Sequence, residues 1–226
     1  MPSEPAGAAR TYRQVRFERP KGSTEILLVR HGESTVADPG KPFMLVEGRG
    51  DPELSREGRE QAKRLGARLA RYPIEAIYVT PLRRTRETAG PLLNELTLQP
   101  FVEEGLVEIH MGEWEGGLYR KKVSEHDPLA TKVFEQERWD VIPGAESNEL
   151  LFSRTAAAIR RIAERHPDGL VVAVAHAVSI SAVLAQATGS TPMSFVGGDN
   201  ASISTIVVSG DHWVLRRFND TAHLED

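Results

Sequence analysis

Two short apolar runs in the chain each end at a histidine. Residues 26–29 are apolar and lead into Arg30-His31-Gly32-Glu33, and residues 170–175 are apolar and lead into His176. Continuous apolar runs of this length, rich in β-branched side chains, predict strands buried on both faces, as in a parallel sheet. Because ligands bind outside the carboxyl ends of such strands, we expect both imidazoles to face one crevice.

Strand-like and helix-like segments alternate along the rest of the chain. Ser55 is a predicted helix N-cap, and Pro73 ends the periodic apolar pattern that follows it. The predicted elements are a strand at 25–31, a helix from Ser55 to Pro73, a strand at 74–80, a helix from Pro81 (its first helical position) to Leu96, a strand at 101–109, a helix at 147–166, a strand ending at His176, a helix at 178–187 and a hairpin of strands 202–208 and 212–218. This alternation predicts an α/β fold, a three-layer sandwich with a mostly parallel central sheet flanked by helices.

Two segments fall outside this alternation. Residues 1–22 are rich in proline, glycine and charge, and we expect them to form a flexible N-terminal arm. Residues 111–142 mix glycines, tryptophans and charges without a clear period, and we interpret them as a small cap insertion. The remaining pattern predicts a single domain at 23–226.

Composition limits the kinds of function that the protein can have. A chain of 226 residues with 40% hydrophobic positions can bury a full core as one domain. The absence of cysteine excludes disulfides and thiolate chemistry, and a net charge of -4 argues against a nucleic-acid partner. The sequence lacks a membrane-spanning run and a secretory signal, so we expect a cytoplasmic protein with no membrane partner. A homodimer is the default expectation for a symmetric enzyme.

Three arginines stand where the second predicted helix begins. Arg83, Arg84 and Arg86 would oppose the positive potential of a helix N-terminus by about 0.3 to 1 kcal/mol each when exposed. A bound phosphate would compensate, because free backbone N–H groups and guanidinium groups both donate to it. The alternative is that these arginines are solvated surface charges or partners of Glu75 and Glu87.

Together these motifs resemble the histidine phosphatase superfamily, in its phosphoglycerate mutase-like branch. Arg30-His31-Gly32-Glu33 is similar to the family signature, which implies that His31 is the nucleophile and Arg30 a phosphate ligand. Thr80-Pro81-Leu82-Arg83-Arg84 is similar to the second family element. The resemblance implies that Arg84 is the second phosphate-binding arginine, and Arg83 is a further candidate for substrate binding.

Two more elements complete the resemblance. Glu108, followed by Gly112-Glu113-Trp114-Glu115-Gly116, is similar to the acid/base glutamate of the family and its tail. His176 is similar to the second active-site histidine, which binds the phosphate. The chain departs from the pattern at Ala37, where many members have an asparagine, and at Ala177, where a glycine usually follows the histidine.

The resemblance implies a phosphomonoesterase that acts through a covalent phosphohistidine on His31. Arg30, Arg84 and His176 would neutralise the phosphate, and Glu108 would be the general acid and base. The implied substrate is a small phosphorylated metabolite, with no metal and no cofactor. A phosphoglycerate mutase using the same intermediate is the alternative, followed by a non-catalytic protein that binds phosphorylated ligands.

The residues alone leave other interpretations open. A histidine at a strand end can be a hydrogen-bonded core residue, and a metal site would need a third ligand that neither histidine has at a familiar spacing. Glu108 is one of several acids in its region. We interpret Trp114 and Trp139 as residues that pack in the protein interior rather than as a surface that binds substrate. The basic run Arg120-Lys121-Lys122 is either a contact for an anionic substrate or a solvated surface.

Overall fold

A six-stranded mixed sheet forms the middle layer of the molecule. The computed structural model describes residues 12–225. The elements in chain order are β1 (Thr24–Arg30), β2 (Leu45–Val46), β3 (Arg49–Gly50), α1 (Arg56–Leu69), β4 (Ala76–Val79), α2 (Arg83–Leu96), β5 (Phe101–Val102), α3 (Leu118–Ser124), α4 (Pro128–Glu135), α5 (Asn148–Arg165), β6 (Leu170–Ala175), α6 (Ala177–Thr188), β7 (Ile203–Ser209) and β8 (His212–Asp220). Strands β2 and β3 form a separate two-stranded hairpin.

The sheet order places the two histidine-bearing strands side by side at its centre. The order is β5-β4-β6-β1-β7-β8, in which the first four strands are parallel, β7 is antiparallel to β1, and β8 is antiparallel to β7. In the β1–β6 ladder Arg30 is opposite Ala175. Both strands therefore end at the same edge of the sheet, and the prediction of a mostly parallel sheet is confirmed.

Helices cover both faces of this sheet. The α1–α2 side buries Leu65, Leu69, Ala89 and Leu92 against Leu27 and Val29 of β1. The α5–α6 side buries Ile159, Ile162, Val183 and Leu184 against Ile26 and Leu28. Because successive β1 side chains point to opposite faces and both faces are covered, the middle of the strand, residues 26–29, is continuously apolar. This is the predicted three-layer sandwich.

The segment predicted as a cap has a hydrophobic core of its own. Trp114, Val133, Trp139 and Ile142 are buried together, and Val178 from α6 packs against them. Helices α3 and α4 and two short 3-10 helices make up most of residues 112–141. The cap is thus attached to the α5–α6 side of the sandwich through apolar contacts.

The prediction of a strand over 101–109 is wrong beyond Val102. A 3-10 helix follows at Glu104–Leu106, and the Glu103 carboxylate accepts a hydrogen bond from Gly105 N at 3.0 Å. Side chains therefore satisfy backbone groups that a strand would pair with a neighbour.

The prediction that Pro81 is the first helical residue is also wrong. Helix α2 begins at Arg83, and Leu82 is its N-cap with an extended backbone. The Thr85 hydroxyl accepts a hydrogen bond from Thr80 N at 3.1 Å and donates to Leu82 O at 2.8 Å. These bonds hold the connection in a turn before the helix starts.

Part of the predicted N-terminal arm contacts the domain. Residues 1–11 of that arm lie outside the described residues, and residues 12–20 contain no helix or strand. The Arg216 guanidinium lies 3.7 Å from the centre of the Phe17 ring, and Arg19 Nη1 donates to Gly169 O at 2.7 Å.

Among the described residues, every helix is too short or too polar to span a lipid bilayer.

The loop after β1 packs directly on the first turn of α1. Ser55 N donates to Glu33 O at 2.9 Å, and the Ser55 hydroxyl accepts from Gly58 N at 3.0 Å. A Cβ at Gly58 would lie 2.0 Å from Glu33 O, closer than any real contact. The loop that follows His31 can approach the helix this closely because position 58 has no side chain.

Gly58→Ala is expected to destabilise the fold by roughly 1 to 3 kcal/mol, because the new methyl group forces the loop away from α1. Gly90→Ala is the matched control, since Gly90 also lies inside a helix but a methyl group there would meet no atom within 4 Å. The control should be neutral or more stable by about 0.5 to 1 kcal/mol. Urea unfolding measures both, and equal stabilities of the two variants would contradict the close contact.

Candidate active site

His31 lies immediately after β1, and one of its ring nitrogens is hydrogen-bonded to the backbone. Its backbone N donates to Ala175 O at 3.0 Å, and its Nδ1 lies 2.7 Å from Gly32 O. Because a carbonyl oxygen can only accept, Nδ1 carries the proton in the neutral imidazole and Nε2 holds a lone pair. The side chain is buried, at 6% exposure.

His176 follows β6 and meets His31 at the same edge. The two ring centroids are 5.2 Å apart with an interplanar angle of 62°. His176 is fully buried, and its Nε2 lies 3.0 Å from the Thr80 hydroxyl. Its Nδ1 has no hydrogen-bond partner among residues 12–225. The structure therefore brings together the two histidines that end the apolar runs.

Burial and nearby cations keep both imidazoles neutral. Burial lowers the pKa of His31 well below its ordinary value, and the charges of Arg84 and then Arg30 lower it further. Burial likewise lowers the pKa of His176, again with Arg84 as the next cause. At neutral pH the site therefore contains two uncharged rings beside two cations.

Arg84, which is buried, and Arg30, which is partly buried, are the two central cations of the site. Arg30 Nη1 donates to Gly198 O at 2.5 Å, while its buried Nε has no hydrogen-bond partner within the described chain. Arg84 is 7% exposed, and its Nη1 donates to Gly50 O at 2.9 Å. Burial lowers the pKa of both guanidinium groups, and the charge of Glu108 opposes that change. An anion between them would stabilise both charges.

Arg83 does not reach this site. Its side chain is half exposed on α2, with Nε donating to Glu87 Oε1 at 3.1 Å and Nη2 to Glu53 Oε2 at 3.0 Å. Arg86 of the same first turn is exposed as well. Of the three arginines that begin the helix, the structure thus directs only Arg84 inward.

The Glu108 carboxyl also lies at this site. Its Oε1 accepts a hydrogen bond from Ile109 N at 3.0 Å, and the Ser179 hydroxyl lies 3.5 Å away. Burial raises the pKa of this carboxyl, while the charges of Arg84 and Arg30 act in the opposite direction. The carboxyl therefore stays protonated to a higher pH than an exposed glutamate does.

A cavity of about 330 Å³ joins these groups. Arg30, His31, Arg84 and Glu108 line it, together with an apolar wall that the cap contributes in part. His176 lies behind His31 rather than among the lining residues. The wall consists mainly of Phe43, Met111, Trp114, Tyr119, Trp139, Val178 and Val196.

Two further arginines line the cavity. Arg120 donates to Thr35 O at 2.8 Å and to the Ser34 hydroxyl at 2.7 Å. Arg49, on the β2–β3 hairpin, donates from Nε to Glu108 O at 2.7 Å. Arg120 belongs to the basic run noted in the sequence, but sequence reasoning missed Arg49, which no motif or periodic pattern distinguishes.

The other two cations of that basic run point elsewhere. Lys121 pairs with Glu125, and Lys122 Nζ lies 2.7 Å from Asp127 Oδ2.

Within residues 12–225, no group of three or more His, Asp or Glu side chains is arranged to hold a metal ion.

Comparisons with known proteins agree with this architecture. Residues 26–221 match the sequence profile of the histidine phosphatase superfamily (branch 1). Phosphoserine phosphatase 1 of Hydrogenobacter thermophilus is 31% identical over 202 residues, which cover 88% of this chain and 94% of that protein. Phosphoglycerate mutase-like protein 4 of Arabidopsis thaliana is 32% identical over 207 residues, which cover 89% of this chain and 87% of that protein.

The solved structure of YhfR from Bacillus stearothermophilus is similar as well. It superposes with a TM-score of 0.76 at 28% identity and covers 89% of this chain and 100% of its own. The matched range, residues 26–221, spans the two strand-end histidines and the positions of Arg30, Arg84 and Glu108. The chain therefore belongs to the histidine phosphatase superfamily (branch 1).

Proposed function

We propose that this protein is a phosphomonoesterase that forms a covalent phosphohistidine on His31. The observation that carries the proposal is the state of that imidazole. Its Nδ1 is bonded to Gly32 O, so the lone pair is on Nε2, and burial beside Arg84 and Arg30 disfavours protonation. A neutral imidazole next to two cations is suited to attack the phosphorus of a bound phosphate.

The phosphate would bind between the two central cations. Arg30 has a free Nε–H, and Arg84 presents a guanidinium group that has one neutral partner and a carboxylate at 4.0 Å. If the Thr80 hydroxyl donates to His176 Nε2, His176 Nδ1 carries a proton and can donate to the same anion. These donors would neutralise the phosphate oxygens that otherwise repel a nucleophile.

The first chemical step transfers the phosphoryl group to the enzyme. His31 Nε2 forms a bond to phosphorus while the bond from phosphorus to the ester oxygen breaks. The leaving oxygen takes the proton of Glu108, whose raised pKa keeps that proton available. The alcohol then departs and Glu108 is left as a carboxylate.

The second step returns the enzyme to its starting state. A water molecule attacks phosphorus and the N–P bond to His31 breaks. Glu108, now a carboxylate, takes the proton of that water. Inorganic phosphate leaves, and the imidazole is again neutral.

For the substrate we propose a small phosphorylated metabolite. The cavity of about 330 Å³ has the size of a small-molecule site, and Arg49 and Arg120 add positive charge beyond the two central cations. The two relatives described above are named a phosphoserine phosphatase and a phosphoglycerate mutase-like protein, names that refer to small phosphorylated acids. A cytoplasmic location is part of this proposal, since such metabolites occur there.

Replacing the nucleophile is expected to abolish the reaction. His31→Ala should show no hydrolysis of an aryl phosphate with a chelator present. Rapid acid-free quenching of the native enzyme with radiolabelled substrate should give an acid-labile, alkali-stable label on His31. Transfer of the label to phosphoglycerate instead of water would favour a mutase. An inactive native enzyme that still binds phosphate would favour a non-catalytic binding protein.

Arg84→Gln should lower kcat/KM by about 10² to 10³, because a preorganised cation facing the phosphate is lost. Arg83→Gln is the matched control, since the neighbouring arginine pairs with Glu53 and Glu87 on the surface. The control should stay within about twofold of the native value, because exposed ion pairs contribute little. Steady-state kinetics on one aryl phosphate measures both, and equal losses would remove Arg84 from the phosphate site.

Glu108→Gln should separate substrates by their leaving group. For an alkyl phosphate kcat/KM should fall by about 10² to 10⁴, whereas a dinitrophenyl phosphate, which needs no proton, should lose less than about tenfold. With the native enzyme, the alkyl phosphate rate should fall as pH rises through the raised pKa of Glu108. On the acid side the rate should persist until the lowered pKa of His31 is reached. Identical pH profiles for the native enzyme and Glu108→Gln would exclude the acid role.

A further inference from the structure

Glu108 lies in a segment whose backbone has little regular hydrogen bonding. After β5 ends at Val102, the chain forms one 3-10 turn and then continues without secondary structure to residue 110. Backbone carbonyls at Gly105, Val107 and Glu108 accept hydrogen bonds from side chains instead. The donors are the arginines Arg154 and Arg49, together with the Ser179 hydroxyl, which donates to Val107 O at 3.2 Å.

Arg154 of α5 makes four of the bonds in this region. Its Nη1 donates to Gly105 O at 2.9 Å and to Val107 O at 2.7 Å. Its Nε and Nη2 donate to the two carboxylate oxygens of Glu146 at 2.6 Å and 2.9 Å. One side of the guanidinium group thus holds the segment and the other is held by a carboxylate.

Glu146 and Arg49 complete the contacts on the far side of Glu108. Glu146 Oε2 accepts from His110 N at 3.3 Å and lies 3.8 Å from Arg49 Nη2. Arg49 Nε in turn donates to Glu108 O at 2.7 Å. The backbone is therefore bonded to charged side chains immediately before Glu108, at Glu108 itself and two residues after it.

These three side chains are too buried to be ordinary surface ion pairs. The exposed fractions are 10% for Glu146, 20% for Arg154 and 18% for Arg49. Buried charges of this kind cost free energy unless they are fully hydrogen-bonded, and a network of them specifies one geometry. Here that geometry is the backbone path through Glu108.

We propose that Arg154, Glu146 and Arg49 form a positioning cluster that aims the Glu108 carboxyl at the leaving oxygen. The inference rests on the proposed function, because it assigns a role to residues behind the proposed acid. The Glu108 side chain itself has few restraints, namely Ile109 N at 3.0 Å and the Ser179 hydroxyl at 3.5 Å. Its direction therefore depends on the backbone that the cluster holds.

The cluster also contributes charge to the acid. Glu108 faces Arg84, Arg30 and Arg154 from three different elements, together with the Tyr119 phenol of the cap, whose own pKa burial raises to about 12. Burial raises the pKa of Glu108, and the three arginines lower it. Loss of the Arg154 charge should therefore raise this pKa further and move the alkaline limb of the pH profile upward.

The test uses Arg154→Gln with the two leaving groups. For an alkyl phosphate kcat/KM should fall by about 10 to 100-fold, because a displaced acid no longer reaches the leaving oxygen. For a dinitrophenyl phosphate the loss should be less than about threefold. Arg160→Gln is the matched control, since Arg160 lies on the same helix and donates from Nε to the exposed Asp211 at 3.1 Å. It should leave both rates unchanged.

A conservative variant separates the effect of the positive charge at position 154 from the effect of the shape of the guanidinium group. Arg154→Lys keeps the positive charge, but three donors on a single nitrogen cannot reproduce the four bonds of the planar guanidinium group, two of which go to the Glu146 carboxylate. We expect it to keep the native alkaline limb of the pH profile while losing most of the alkyl phosphate rate. Arg154→Gln should both lose the rate and shift that limb upward.

A double mutant distinguishes positioning from general structural damage. In a Glu108→Gln background, Arg154→Gln should cost less than about threefold more on an alkyl phosphate, since the acid that it positions is already absent. Additive losses, or equal losses on both leaving groups, would overturn the positioning cluster and leave the proposed function standing. If Glu108→Gln alone shows no dependence on the leaving group, the acid role in the proposed function fails and this inference fails with it.

Discussion

The site depends on the parallel pairing of β1 and β6. Their register places Arg30 opposite Ala175, so the next residue of each strand is a histidine at the same edge of the sheet. The bond from His31 N to Ala175 O continues the ladder by one more step, and the two rings meet at 5.2 Å. A shift of one residue would turn a histidine toward a helix layer and separate the pair.

Electrostatics then distinguishes the roles of the clustered groups. Arg30 and Arg84 are cations whose charges act on Glu108, and burial together with these charges favours the neutral form of both histidines. Burial disfavours charge on the imidazoles and on the carboxyl alike, so the site favours neutral imidazoles and a protonated carboxyl at the same pH. Burial of these groups thus provides the two protonation states that the proposed phosphoryl transfer requires.

Glu108, the proposed acid, is supported in a different way from His31, the proposed nucleophile. His31 inherits its position from a regular strand in the middle of the sheet, whereas Glu108 lies on irregular chain whose carbonyls are bonded to Arg154 and Arg49. Regular secondary structure satisfies its own backbone groups, but an irregular buried segment needs side-chain donors. This difference explains why the cluster of Arg154, Glu146 and Arg49 accompanies the acid and not the nucleophile.

The apolar runs and motifs of the sequence determined the fold class, the two strand-end histidines, Arg30, Arg84 and the helices that flank the sheet. The strands and helices follow from the pattern of apolar positions, which reports burial, whereas Arg30 and Arg84 were identified by the resemblance of their motifs to those of the family. The tertiary structure alone decided that Arg83 pairs with Glu53 instead of reaching the cavity, and that the chain leaves the strand path after Val102. It also decided that Arg49 reaches Glu108. These outcomes depend on which backbone groups and charges meet across elements distant in the chain, and local pattern does not contain that information.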